Sequence, residues 1–206
     1  MKITIQPLSP ALIRAYFDFF DHRAFADGSP FYPCYCNAFN LSAEAIRNDL
    51  LAQATDAESW RMRLRESAWR MVQAGDIQGY LAYDGDVAVG WCNANDRMNY
   101  ARVGEFDLEH LPEDTPPKDC PGKGIVKSIV CFEIAPDYRG KGIATLLLER
   151  VCADAKAAGY ACVEGYPQVC PQNAALAFAG PVGLYEKAGF TEYSREENRI
   201  TMRKKL

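Results

Sequence analysis

A single α+β domain is the fold class that the sequence predicts, and three stretches predict it. Residues 125–134, Ile-Val-Lys-Ser-Ile-Val-Cys-Phe-Glu-Ile, are apolar and β-branched enough for a buried strand, and a glycine-rich turn leads from them into a helix. Asp84-Gly85-Asp86 lies between the apolar segments 78–83 and 87–93, a strong short-range sign of a hairpin. Residues 191–193 and 199–203 can form a second, closing hairpin. With 206 residues, 49% of them apolar and 24% charged, the chain has enough for one packed core.

From the N-terminus, Met1-Lys2-Ile3-Thr4-Ile5 alternates like a strand and lacks the apolar run and cleavage site of a signal peptide. Nothing in the chain approaches the length of uninterrupted apolar residues that a membrane span needs, so a cytoplasmic protein with no membrane partner is expected. Ser9 as N-cap and Pro10 at the first helical position open a helix over 10–17. The loop 27–37 is dense in aromatics and turn-formers; it reads either as a hydrophobic cover on the sheet or as a wall of a binding pocket. Residues 56–74 form a second long helix, with Trp60, Leu64, Ser67, Met71 and Ala74 roughly on one face. Its arginines and glutamates read as a solvated face with local ion pairs, and Gly75-Asp76 ends it.

After the hairpin, the polar run 93–97 is turn-like and either contacts substrate or closes the next turn. Residues 104–124, rich in acids, prolines and glycines, read as a surface excursion whose Pro121-Gly122-Lys123-Gly124 is a turn. The apolar strand 125–134 is then broken by Ala135-Pro136-Asp137-Tyr138, because proline cannot donate to a ladder. Ile143, Leu146, Leu147, Val151, Ala155 and Ala158 recur at steps of three and four, the period of a helix with one buried face, and Gly159 stands at its C-terminal cap. A short strand over 160–166 stops at Pro167, and a long connection over 167–182 follows.

The strand–turn–helix unit has a chemical use. The first N–H groups of a helix lack internal partners, and the helix dipole places partial positive charge there. Gly140 and Gly142 carry no Cβ, so a ligand can approach the backbone, and Arg139 and Lys141 add full charges. The turn therefore suits a phosphate or pyrophosphate, although a tight connection with solvated Arg and Lys would read the same way. A Walker loop needs Gly-Lys-Ser/Thr, which the residues after Gly142 do not supply. A dinucleotide fingerprint needs a third glycine where Thr145 stands.

The pattern that does fit is Arg-x-x-Gly-x-Ala, formed by Arg139, Gly142 and Ala144 after Ile134-Ala135-Pro136-Asp137-Tyr138. It resembles the acetyl-coenzyme A loop of the GNAT superfamily of N-acetyltransferases. Gly183-Leu184-Tyr185-Glu186-Lys187-Ala188-Gly189-Phe190 is similar to that family's C-terminal Leu-Tyr-Glu-x-x-Gly-Phe block. The resemblance covers residues 77–206, with residues 1–76 left as acceptor-side elements of the same single domain, 1–206. It implies an α/β sandwich: a mixed, mostly antiparallel sheet with helices on both faces.

It also implies acetyl transfer from acetyl-coenzyme A, as acyl-donor cosubstrate, to a primary amine. Phe132 and Ile134 would line the pantetheine arm, and Arg139, Gly140, Lys141, Gly142, Ile143 and Ala144 the pyrophosphate. Tyr185 would be the general acid at the departing sulfur, unless it is a core tyrosine. Glu164 occupies a strand position that serves as base in some similar enzymes; Glu133 is its rival, and water could relay the proton for either. A carboxylate in so apolar a strand should have a raised pKa, and a structural ion pair is the alternative for each. The family's short asparagine-bearing loop is replaced here by the longer connection 167–182.

The formal charge of −4 argues against nucleic acid as a partner and suits a cationic amine, whether small molecule or peptide. Assembly is left open between monomer and homodimer. With eight cysteines and no export signal, free thiols are expected rather than disulfides. Cys34, Cys36 and Cys92, with the isolated His22 and His110, lack paired ligand spacing, so no metal is expected. A non-catalytic acyl-coenzyme A sensor and a nucleotide-binding protein using the same turn are the competing functions.

Overall fold

The computed structural model describes residues 2–29, 32–103, 124–168, 174–196 and 199–206. Among the described residues seven strands make one sheet: β1 (Ile3–Pro7), β2 (Gly79–Asp84), β3 (Val87–Asp96), β4 (Val126–Ile134), β5 (Cys162–Gly165), β6 (Thr191–Glu196) and β7 (Arg199–Lys205). Their order is β1-β2-β3-β4-β5-β7-β6. Every neighbouring pair is antiparallel except β4 with β5. The expected mixed, mostly antiparallel sheet is thus present.

Helices cover both faces. On one, α1 (Ile13–His22) and α3 (Ala57–Ala74) pack with α2 (Ala43–Ala45) and the π-helical turn Ile46–Leu51 over Trp91 and Val130. On the other, α4 (Ile143–Ala157) and α5 (Val182–Lys187) pack over Val89, Ile129 and Val163. The first core is aromatic: the Tyr16 ring meets Trp91 edge-on at 5.0 Å and Phe20 at 4.8 Å. Its hydroxyl donates to the Tyr35 carbonyl at 2.5 Å, which fixes the loop after α1 onto the sheet. Within the loop expected over 27–37, residues 35 and 36 therefore serve as a cover, with Tyr35 and Cys36 both buried.

Local chemistry explains most element ends. Asp56 caps α3 through a reciprocal box with Ser59, and Gly75 closes it in the left-handed conformation at φ 80°. The buried stripe of α3 is Leu64, Ala68 and Val72; Trp60 and Met71 are only partly buried, so the core-facing stripe differs from the predicted one. The first helix also differs. Pro10–Leu12 is a 3-10 turn, Ser9 makes no side-chain cap bond, and α1 proper runs from Ile13 to His22. Gly85, at φ 61°, makes the β2–β3 turn.

The polar run 93–96 is strand rather than turn. β3 continues to Asp96 because its polar side chains are satisfied there: Asn93 by Tyr100 and Cys36, Asn95 by the Asp76 carbonyl and Asn99. Asp96 accepts from the Gly124 and Met98 N–H groups. The excursion expected over 104–124 falls outside the described residues up to 123. Among the described residues no helix is long and apolar enough to cross a membrane, and Cys34, Cys36, Cys92, Cys131, Cys152 and Cys162 are free thiols.

Candidate active site

The centre of the sheet opens. β4 and β5 pair in parallel from Val126↔Cys162 to Ile129↔Gly165, and there β5 ends while β4 runs on to Ile134. Residues 130–134 of β4 therefore keep a backbone edge that β5 no longer pairs, beside which the 3-10 segment Ala174–Ala179 packs. Phe132 is buried and Ile134 partly buried along this edge.

Beyond it, the 3-10 turn Pro136–Tyr138 leads into Arg139-Gly140-Lys141-Gly142 and then α4. Gly140 and Gly142 sit at φ 72° and 80°, and a Cβ built on either would meet nothing within 4 Å. The space over the turn is open to a ligand. Among the described residues no side chain caps α4 and no acid stands in its first turn, so its leading N–H groups keep their donors and their dipole for an anion. Ile143 is a core residue, so only its backbone can face that anion; Ala144 is partly buried. Lys141 is exposed, its Nζ 5.0 Å from the Tyr138 ring centroid.

Arg139 points the other way. Its guanidinium donates to the Ile134 carbonyl at 3.0 Å, to Asp27 at 2.5 Å and to Glu133 at 3.4 Å. Asp27, 112 positions away in sequence, carries no site motif; only its place in the turn-rich loop hints at it. A cleft of about 380 Å³ opens beside this ion pair, lined in part by His22, Asp27, Val89, Asp137 and Tyr138.

The two candidate bases occupy different settings. Glu133 lies near the end of β4 on the α1 face, paired in register with Trp91. Burial pushes its carboxyl up to about 7, against the pull of the Arg139 charge and hydrogen bond. Glu164, on β5, is buried with both oxygens engaged: Arg203 donates through Nε at 2.6 Å and through a second nitrogen, and Tyr166 through its hydroxyl at 2.9 Å. Ser128 shares a 2.7 Å hydrogen bond with Tyr166, so the polar line runs on to β4. Ser128, Tyr166 and Arg203 carried no motif, and only the fold joins them.

Tyr185 stands at the opening on the other face. A Cβ on Gly165, the last residue of β5 paired with β4, would lie 2.1 Å from its ring and 2.5 Å from its hydroxyl oxygen. The ring is wholly buried between Phe132 and Phe190, with centroids 6.5 and 5.3 Å away. Burial drives its pKa well above the usual phenol value, and its hydroxyl donates to the Ala179 carbonyl at 2.7 Å. Gly165 is thus required by close packing. Gly165→Ala is expected to cost about 1–3 kcal/mol of stability by overpacking, measured by urea unfolding; an unchanged midpoint would show that the ring moves aside freely.

The structure thus gathers Phe132, Ile134, Arg139 and Glu133 on one strand and its turn, sets Tyr185 beside the opening, and holds Glu164 in an ion pair. Residues 43–190 match the Acetyltransferase (GNAT) family. The chain is similar in fold to the PaiA N-acetyltransferase of Thermoplasma acidophilum, solved with coenzyme A: 16% identity, all of both chains covered, TM-score 0.52. It is also similar to the GNAT domain of S. lividans PAT, at 16% identity over 98% of this chain and 89% of that one, TM-score 0.51. A GNAT-family acetyltransferase from Streptococcus pneumoniae aligns over both full chains at 14% identity and TM-score 0.50. No curated protein matches the chain. With its family match spanning well over half its length, the chain belongs to the GNAT family of acetyltransferases.

Proposed function

We propose that this enzyme moves an acetyl group from acetyl-coenzyme A to a primary amine, on a small molecule or a peptide, by direct attack. The observation that carries this reading is the parting of β4 from β5 directly upstream of an open glycine turn and an uncapped helix. A strand edge and an anion site then lie in line, as a pantetheine arm with a pyrophosphate requires. When bound, acetyl-coenzyme A supplies an acyl group activated as a thioester. The edge at Phe132 and Ile134 would hold the arm, and the backbone over 139–144 the pyrophosphate.

Two proton transfers fall to the chain's own residues. An amine is mostly protonated at neutral pH and must lose a proton to become a nucleophile. Glu133 is the better supported base, directly or through water, because burial brings its carboxyl to about 7. Glu164 is less suited, since Arg203 and Tyr166 already occupy its oxygens. Tyr185, held neutral by burial at the opening, can return a proton to the departing thiolate.

The test is a pH profile with an amine acceptor found by thiol-release screening. A base must be ionised, so kcat/KM should climb as pH rises through about 7. Glu133→Gln should lose that limb and cost roughly 10²–10⁴-fold at high pH. An identical limb in the glutamine variant would assign the ionisation to another group. Tyr185→Phe keeps the ring and should lower kcat by roughly 10²-fold or more with little change in coenzyme affinity. An undiminished rate would remove Tyr185 from the reaction and leave its hydroxyl a purely structural link to Ala179.

A further inference from the structure

Two arginines meet the two candidate bases, and they do so differently. Arg203 gives Nε and a second nitrogen to Glu164 alone. The three nitrogens of the Arg139 guanidinium go to three acceptors: Nε to the Ile134 carbonyl at 3.0 Å, Nη1 to Asp27 at 2.5 Å and Nη2 to Glu133 at 3.4 Å. The contact with Glu133 is the longest of the three and longer than an ordinary N–H···O bond. A guanidinium is a rigid planar fork, so with two nitrogens held the third cannot turn to follow its acceptor. The β4 backbone and the Asp27 carboxylate thus set how near the cation comes to Glu133.

Asp27 stands just beyond α1, in a turn where the Gly28 N–H donates to the Phe25 carbonyl at 3.0 Å. Its bond to Arg139 holds the Asp27 carboxyl below the usual carboxylate range, so Asp27 is charged wherever Glu133 titrates. The other titratable groups that face Glu133 are the thiols of Cys34 and Cys36, from the segment after α1, and of Cys131 on its own strand. Trp91, its register partner on β3, carries no charge. His22, Arg23 and Asp137 line the cleft beside Asp27. All of these stay in place when Asp27 or Arg139 is replaced.

We propose that Asp27 is a positioning residue for acetyl transfer: by taking one arm of Arg139 it keeps that arginine at the margin of Glu133 and leaves the carboxylate able to accept the proton of the amine. The inference rests on Glu133 acting as the base. Arg139 favours the charged form of Glu133, and Asp27, a like charge, disfavours it. Without Asp27 the like charge is gone and the guanidinium is free to close on Glu133 as Arg203 closes on Glu164. Glu133 would then ionise at lower pH and be the weaker base.

The experiment follows the Glu133 carboxyl by carbon NMR in coenzyme-free protein made with labelled glutamate, the signal assigned by its loss in Glu133→Gln. In Asp27→Asn, which keeps the shape and drops the charge, the titration midpoint should fall by about one pH unit. In Arg139→Gln it should rise, because the opposite charge is removed. Asp27→Glu returns a carboxylate to Arg139 and should titrate like the parent. The rising limb of kcat/KM with the screened amine should move with the NMR midpoint in Asp27→Asn. A midpoint that stays in place in Asp27→Asn, or moves the same way there as in Arg139→Gln, would overturn the proposal; loss of the limb in Glu133→Gln would still leave Glu133 the base. A midpoint that falls while the limb stays would overturn Glu133 as the base, and with it any part for Asp27 in the transfer.

Discussion

Gly142→Glu is expected to abolish binding of coenzyme A, and the structure separates the two reasons. At φ 80° a side chain at this position strains the backbone, while its would-be Cβ points into open space over the turn. A glutamate there also brings negative charge to the start of α4, where no acid now stands and the helix dipole favours an anion. The parent should gain about 2.7 kcal/mol against unfolding at a hundredfold excess of coenzyme A over its dissociation constant, and the variant none. Gly142→Asn isolates the strain, because asparagine tolerates the left-handed region without charge. It should be modestly less stable yet still bind. Binding lost equally in both variants would make turn geometry, rather than the anion, the controlling factor. Full affinity in the glutamate variant, measured by calorimetry, would place the phosphates elsewhere.

What could be read from the chain alone was whatever is encoded locally. The β4–turn–α4 unit joins two periodicities through glycines that can take positive φ, and the Asp84-Gly85 turn carries its own register. The α3 start is written as Asp56 and Ser59, which satisfy one another three positions apart. The misses are places where distant partners decide. Residues 93–96 look like a turn because asparagine and aspartate disfavour strands, but Tyr100, Cys36 and the Asp76 carbonyl satisfy those side chains inside the sheet. The Asp27–Arg139 contact spans 112 positions, and Glu164 meets Arg203 across 39. Both carboxylates proposed as bases sit in apolar strands, so composition could not rank them; the ranking comes from Arg203, which sequence gives no reason to place beside Glu164.

Arg203→Ala should be among the most destabilising single changes in the chain. Arg203 on β7 is the register partner of Glu164 on β5, and its guanidinium makes two contacts with that carboxylate. It also stacks on the Tyr193 ring, 3.2 Å from the centroid. The Glu164 side chain is 8% exposed, so removal of the arginine leaves a buried charge whose remaining donor among the described residues is the Tyr166 hydroxyl. Breaking a buried pair from one side costs about 3–5 kcal/mol, most of it the penalty of the orphaned ion. A double substitution tests that origin. Arg203→Met with Glu164→Leu removes both charges and leaves Tyr166 still bonded to Ser128, so most of the loss should be recovered. Urea unfolding of the parent, the two single variants and the pair completes the cycle. A loss below about 1 kcal/mol for Arg203→Ala would mean that water reaches Glu164 and screens it as at a surface. Glu164 would then have free lone pairs and would return as a rival to Glu133 for the proton of the amine.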